Sequence, residues 1–331
     1  SQRENRMMRK LGVVWTILLL SSLAAASGGA AAGQAMARPS SGESMVRRQG
    51  PSTPTAEGAD PVLLAAGDIA DCRSPGDETT ADLIRTLPGT IATLGDNVYR
   101  SGSAQQYTDC YDPTWGTEKA RTRPAAGNHD YGTPDARDYF DYFGAAAGDR
   151  GEGYYSYDLG AWHVVVINSN CDAIGGCGAD SAQGRWLRSD LATHPATCTL
   201  AYWHHPLFSS GIKHGGDPEM RPIWQLLYDA GADVVLSGHE HNYERFAPQD
   251  PNGAPDPRRG IREFIVGTGG ASHHPFGTPL PTSETRNADT YGVLALTLHP
   301  DGYDWSFVPA DADPGQPGGS TFTDAGSAEC H

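Results

Sequence analysis

The chain has 331 residues, 38 % of them hydrophobic and 19 % charged, which is the composition of an ordinary globular protein rather than a fibrous or disordered one. Its formal net charge of −16 argues against a general binder of nucleic acid or of anionic membranes, since both are themselves negative. An anionic small ligand stays open, because bound metal ions can invert the field inside a cleft.

The N-terminal stretch differs from the rest. Arg3, Arg6, Arg9 and Lys10 make a basic start, Leu11 to Leu20 an apolar run, and Ser21 to Ala37 a stretch of mostly small residues. Basic, apolar, small is the order of a secretory signal, and the apolar run falls short of the ~20 residues a membrane span needs. Residues 1–37 are therefore expected to be a signal peptide, with Ala24-Ala25-Ala26 and Ala35-Met36-Ala37 both open as cleavage sites. The mature chain is expected to be secreted, with no stable membrane insertion. Residues 38–59, rich in Pro, Ser, Thr and Gly, read as a disordered linker, and 60–331 as one folded domain. Six cysteines in an exported chain suggest disulfides. Cys171–Cys177, which would close a small Gly-rich loop, and Cys72–Cys110 are the favoured pairs; Cys198 and Cys330 are left as a third pair or as free thiols. The absence of a Cys-x-x-Cys pair argues against a thiolate zinc site.

Along the folded part, Val62 to Ala66 reads as a buried strand ending at Gly67-Asp68. Glu78 to Leu87 has helical spacing, and Thr90 to Leu94 is a second strand, ending at Gly95-Asp96. Asp135 to Phe143, Ser181 to Ala192 and Met220 to Ala230 read as helices. Trp162 to Asn168, Thr199 to Trp203 and Asp233 to Leu236 read as strands, as do Arg262 to Val266, Tyr291 to Leu298 and Tyr303 to Val308. Strands alternating with helices imply an α/β fold, a sheet with helices on its faces. In such folds ligands gather in the loops beyond the carboxyl ends of strands. The strand-like runs here end in Gly-Asp, Gly-Asp, Trp-His-His and Gly-His.

Asp, His, Asn and Tyr are all candidate ligands for divalent or trivalent metals. Taken alone, Gly67-Asp68 is most often a turn, and Gly95-Asp96-Asn97-Val98-Tyr99 says little more. Gly127-Asn128-His129-Asp130 offers an amide oxygen and an imidazole together. Gly238-His239-Glu240-His241 is the strongest single piece: two histidines one residue apart can reach two neighbouring metals, or one metal from two sides.

In that order, with His204-His205-Pro206 between the last two, these motifs resemble the metallophosphoesterase (calcineurin-like) superfamily. The run from Gly238 to Arg245 is similar to its purple acid phosphatase branch. One position selects the branch: Ala70 stands where many superfamily members carry a metal-binding histidine, and Tyr99, three residues after Asp96, is the replacement ligand of purple acid phosphatases. A phenolate is a hard anionic donor that suits Fe³⁺.

The resemblance implies a four-layer α/β/β/α sandwich, two mixed sheets flanked by helices. It implies two metal ions: Asp68, Asp96, Tyr99 and His241 on a first ion, expected to be Fe³⁺, with Asp96 bridging. Asn128, His204 and His239 would complete a second, Fe²⁺, Zn²⁺ or Mn²⁺. His204 rather than His205 keeps the His-x-Pro register. His129 would neutralise phosphate charge or protonate the leaving group, and His214 would face the substrate, beside Lys213 where some relatives have another histidine. The implied activity is hydrolysis of small-molecule phosphate monoesters by attack of a metal-bound hydroxide, in a chain expected to be monomeric. A phosphodiesterase with the same site, and a metal- or phosphate-binding surface protein without turnover, are the other readings.

The remaining residues have plainer expectations. His205, Asp71 and Asp130 read as packing, turn or supporting groups. His273 and His274 would rim the cleft or serve the surface. Trp162, Trp186, Trp203 and Trp224 read as core, and Glu244 with Arg245 as an ion pair behind the histidines.

Overall fold

The computed structural model describes residues 59–310 and 322–331; the signal-peptide expectation and all but the last residue of the linker lie outside them. The strands among the described residues are, in chain order, β1 (Val62–Ala66), β2 (Thr90–Leu94), β3 (Thr122–Ala125), β4 (Tyr155–Leu159), β5 (Trp162–Val166), β6 (Cys198–Tyr202), β7 (Val234–Ser237), β8 (Tyr243–Phe246), β9 (Arg262–Val266), β10 (Ser283–Asn287), β11 (Gly292–His299), β12 (Gly302–Pro309) and β13 (Ala325–Glu329). They form two mixed sheets. The first has the order β13-β12-β11-β1-β2-β3, with β1, β2 and β3 parallel. The second has the order β10-β8-β9-β7-β6-β5-β4, with β5, β6, β7 and β9 parallel.

Side-chain alternation stacks the layers. In the second sheet Val164, Val166, Leu200, Tyr202, Val234, Leu236, Phe264 and Val266 join one apolar core with Leu63, Leu64 and Ile91 of the first. Their neighbours Val165, Ile167, Ala201, Trp203, Val235 and Ile265 point the other way, as a period of two requires. There they meet Leu187 of helix Ala182–Thr193 and Ile223, Trp224 and Leu227 of helix Arg221–Asp229. Ala81 and Ile84 of helix Gly76–Thr86 cover the first sheet. The result is the α/β/β/α sandwich. Trp162, Trp203 and Trp224 are buried, and Trp186 packs partly buried against the outer core. No helix among the described residues is long and apolar enough to cross a membrane.

Several expectations change. The helix expected over Asp135–Phe143 starts at Arg137, because Asp135 and Ala136 sit at φ 54° and 47°, outside the helical region. Strands β3, β4, β8, β10 and β13 were not anticipated. Four of these are the edges of the two sheets, where one side is unpaired and a clean apolar pattern is not needed. Pro124, which lacks a donor for a central ladder, sits in the edge strand β3. The expected Glu244–Arg245 pair does not form, because adjacent strand residues face opposite sides. Arg245 instead binds Asp324 at 2.7 Å and pairs with Glu284, while Glu244 accepts from the Ser210 amide at 2.8 Å.

All six cysteines are paired: Cys72–Cys110, Cys171–Cys177 and Cys198–Cys330. The third bridge ties the start of β6 in one sheet to the residue after β13 in the other.

Glu263 is fully buried in β9, and burial, reinforced by Glu244, pushes its carboxyl well above the usual range. An acid whose pKa is raised by folding stabilises the fold while protonated, and that contribution is lost as pH climbs through the folded value. Melting temperature is thus expected to fall as pH rises above the ordinary glutamate range toward the raised folded value, and Glu263→Gln to flatten that fall and raise the value at the alkaline end. Scanning fluorimetry across pH checks this; an unchanged slope in the variant would assign the fall elsewhere.

Candidate metal centre

The carboxyl ends of β1, β2, β3, β6 and β7 converge, and the polar loops that follow them meet there. Their side chains form two donor sets. In one, the Tyr99 hydroxyl lies 2.8 Å from Asp68 Oδ1, 3.2 Å from Asp96 Oδ2 and 3.0 Å from His241 Nε2, while His241 Nε2 is 3.3 Å from Asp68 Oδ1. In the other, His204 Nε2 lies 3.2 Å from Asp96 Oδ2, 3.1 Å from Asn128 Oδ1 and 3.2 Å from His239 Nδ1. Asp96 Oδ2 belongs to both. Ligands bonded at about 2.1 Å and near right angles stand about 3 Å apart, so both sets have coordination spacing.

Backbone carbonyls orient the rings. His204 Nδ1–H donates to Leu94 O at 2.8 Å, His241 Nδ1–H to Ser272 O at 2.6 Å, and His129 Nδ1–H to Arg100 O at 2.6 Å. Each bond leaves Nε2 as the free face, the arrangement of metal-binding imidazoles. The carboxylates are held from behind: Asp68 Oδ2 accepts from the His239 amide at 2.8 Å, and Asp96 Oδ1 from the His129 amide at 2.7 Å. The backbone bends to make this possible. Asp68, Asp96 and His239 have φ of 59°, 48° and 70°, uncommon values for side-chain-bearing residues and typical of strained functional turns.

Electrostatics test whether a cation fits. Burial alone would raise the Asp68 carboxyl, but His241 and His204 outweigh it and hold it below the ordinary range. Asp96 is lowered in the same way, against burial, by His204 and His129. Burial would depress His204, and Asp96 instead lifts it to about 9. Burial together with Asp68 and Asp96 pushes the Tyr99 phenol well above its usual value. Two buried anions therefore trap protons on the donors that face them. Multivalent cations answer the same need with oxygen and imidazole ligands, so the residues fit a two-ion centre.

The centre opens into a cleft of about 250 Å³ lined by Arg100, Asn128, His129, Lys213, His214 and His274, among others. His129 Nε2 stands 3.9 Å from Asp96 Oδ2. The His214 ring lies 4.1 Å from that of His239. His205, whose Nδ1 meets Ser169 Oγ at 2.7 Å, has its ring 4.4 Å from His239, beside the second donor set. Asp71 lines the cleft and pairs with Arg73. His273 and His274 part company: His274 stacks on His241 at 3.8 Å and lines the cleft, whereas His273 stacks on Tyr291.

The sequence assigned no role to Arg100 or Glu240, while Asp130, expected as a turn or supporting acid, takes that place. Arg100 follows Tyr99 and brings a cation to the cleft. Glu240, buried between the two histidines, accepts from the amides of His214 and Gly215 at 2.6 and 2.7 Å and so pins the loop that carries His214. Asp130, also buried, accepts from the Gly127 amide at 2.8 Å, Asn97 Nδ2 at 3.0 Å and Tyr107 at 2.7 Å, which fixes the Asn128 turn. The adjacency of Glu240 to His239 and His241 was its one sequence signal.

A sequence model of the family described as calcineurin-like phosphoesterase matches residues 54–243. Purple acid phosphatase 15 of Arabidopsis thaliana is 27 % identical over 219 residues, 55 % of this chain and 40 % of that one. Purple acid phosphatase 22 of the same plant is 37 % identical over 122 residues, 35 % of this chain and 27 % of that one. The chain thus spans less than half the length of these relatives. Among solved structures, a purple acid phosphatase from yellow lupin seeds superposes with a TM-score of 0.61 at 20 % identity, over 80 % of this chain and 53 % of that one, a likeness of fold.

Gly127 is where space is tightest: a Cβ there would stand 2.2 Å from both the amide nitrogen and Oδ1 of Asp96. Gly127→Ala must displace the carboxylate common to both donor sets. The variant is expected to lose most of its bound metal, counted by plasma mass spectrometry; wild-type metal content in a folded variant would show that Asp96 is not the shared donor.

Proposed function

The chain belongs to the calcineurin-like phosphoesterase family, in its purple-acid-phosphatase-like branch, and on that premise we propose that it is an exported, monomeric phosphatase that hydrolyses small phosphate monoesters at a dinuclear metal centre. One observation carries the reading: two donor sets at coordination spacing share Asp96 Oδ2 and open onto a cleft lined by Arg100 and Lys213. Asp68, Asp96, Tyr99 and His241 would hold the first ion, and a phenolate ligand from Tyr99 would suit Fe³⁺. Asp96, Asn128, His204 and His239 would hold the second, Fe²⁺, Zn²⁺ or Mn²⁺. When bound, the two ions supply positive charge for the phosphate and acidify a water for in-line attack at phosphorus.

The chain's own groups do the rest. Arg100 and Lys213 add donors for phosphate oxygens, and this excess of cations favours the dianionic monoester over a diester of lower charge. The Arg100 carbonyl holds His129 Nδ1–H, which leaves Nε2 free to give a proton to the departing oxygen. His214, on the loop that Glu240 pins, lines the cleft beside His239 and would face the substrate. Export rests on the basic, apolar, small order of the N-terminal residues and on three disulfides, which persist in oxidising surroundings.

Three measurements check the reading. Purified wild type is expected to show a visible phenolate-to-iron band that Tyr99→Phe abolishes; a colourless, iron-free wild type overturns the iron assignment. kcat/KM for an aryl monoester is expected to exceed that for the matching diester at least tenfold, about 1.4 kcal/mol, and the reverse ratio would make the chain a diesterase. His129→Ala is expected to lower kcat by about 10²- to 10⁴-fold while retaining both ions.

A further inference from the structure

The opposite side of the second sheet carries a cluster of donors that plays no part in the cleft. His163 is the second residue of β5, so it lies near the amino end of that strand, while the cleft lies beyond the carboxyl ends. Asp190 lies in the last turn of helix Ala182–Thr193, and His194 is the residue that caps it, its amide donating to the Asp190 carbonyl at 3.0 Å. His163 Nε2 stands 2.8 Å from Asp190 Oδ2, and His194 Nδ1 stands 3.3 Å from Asp190 Oδ1. One donor atom from each of the three residues falls within 4.8 Å of the others. The two imidazoles are stacked, 5.0 Å apart and 10° from parallel.

We infer that His163, Asp190 and His194 form a second, mononuclear metal site for a borderline divalent ion of the Zn²⁺ type, open to solvent on the His194 side. Four features support it. Two imidazoles and a carboxylate are the donors such ions prefer, and three protein ligands leave a position for water. The spacing from Asp190 to each histidine matches that of the donor sets in the cleft. His163 Nδ1 is 3.1 Å from Asp158 Oδ1, so its N–H is held by a carboxylate while Nε2 faces the site, the outer support that metal-bound histidines use. Asp190 is itself held in place, its Oδ1 accepting from Ser156 Oγ at 2.8 Å.

Asp158 and Asp190 meet the two nitrogens of one imidazole, Asp158 from the solvent side. His194 Nδ1 also meets the Asp190 carbonyl at 3.0 Å and Thr193 Oγ1 at 3.3 Å. Its side chain is half exposed, so the ring can turn either nitrogen to an ion. The site does not rest on the phosphatase reading, and neither stands or falls with the other.

The test uses the full chain with its own metals. Wild type and His194→Ala are equilibrated with Zn²⁺ and, in parallel, with Co²⁺, desalted, and their bound metal counted. Wild type is expected to hold about one equivalent more than the variant, with a visible Co²⁺ absorption that the variant lacks, while monoester hydrolysis stays the same in both. Asp158→Asn, at an exposed side chain, is expected to weaken Zn²⁺ binding at this site about 10- to 100-fold without removing it. The inference is overturned if wild type binds no additional ion, in which case the cluster is an ion-pair network alone, or if His194→Ala keeps the additional equivalent, which would place that ion elsewhere.

Discussion

The structure depends on where one carboxylate sits. Asp96 is 1 % exposed, stands at the seam between the two sheets, and turns Oδ2 toward both Tyr99 and His204. An anion so buried is stable only if positive charge and hydrogen-bond donors surround it. The surroundings comply at some cost in backbone strain. Asp96 adopts φ 48°, its Oδ1 takes the His129 amide, and Gly127 leaves out the Cβ that would occupy its place. Asp68 repeats the solution at the end of the neighbouring strand, with φ 59° and the His239 amide on its Oδ2.

The rest of the centre follows from the sandwich. Parallel strands deliver their carboxyl ends to the same edge, and each loop then needs only one or two residues to reach the seam. Cross-sheet contacts set the angles. Leu94 O, at the end of β2, receives His204 Nδ1–H from the loop after β6, so one sheet aims a ligand carried by the other. Buried acids that touch no donor atom of the centre hold the loops: Asp130 beneath the Asn128 turn and Glu240 beneath the His214 loop.

Charge is divided unevenly over the molecule. The whole chain is strongly acidic at −16, yet its cleft presents Arg100, Lys213 and several imidazoles. Such a local reversal selects anions at the cleft while the remaining surface repels polyanions. The cluster around His163 has no share in this: it sits on the far side of the second sheet, with Asp158 and Asp190 on either side of one imidazole.

Asp68, Asp96, His204 and His239 were legible in the sequence because each stands two residues beyond an apolar strand run, and a strand's end fixes its position closely, whereas Asn128 follows the unanticipated β3 and was legible only from its Gly-Asn-His-Asp run. The order of the motifs carried the family resemblance, and the resemblance implied Asp68, Asp96, Asn128, His204 and His239 as donors, with Tyr99 implied by its distance to Asp96 and by Ala70 standing where many relatives carry a histidine. The buried strands of the two cores were legible for a related reason: their apolar runs must fill an interior. The edge strands β3, β4, β10 and β13 were not, since an edge is satisfied from one side and tolerates Pro124 or a polar run such as Ser283–Asn287. Nor could the sequence say that His274 would lie against His241 while His273 turned to Tyr291, or that Arg245 would leave Glu244 for Asp324. Those choices are made by which face a side chain takes and by what lies across the gap, and partners distant in sequence meet only once the two sheets have packed.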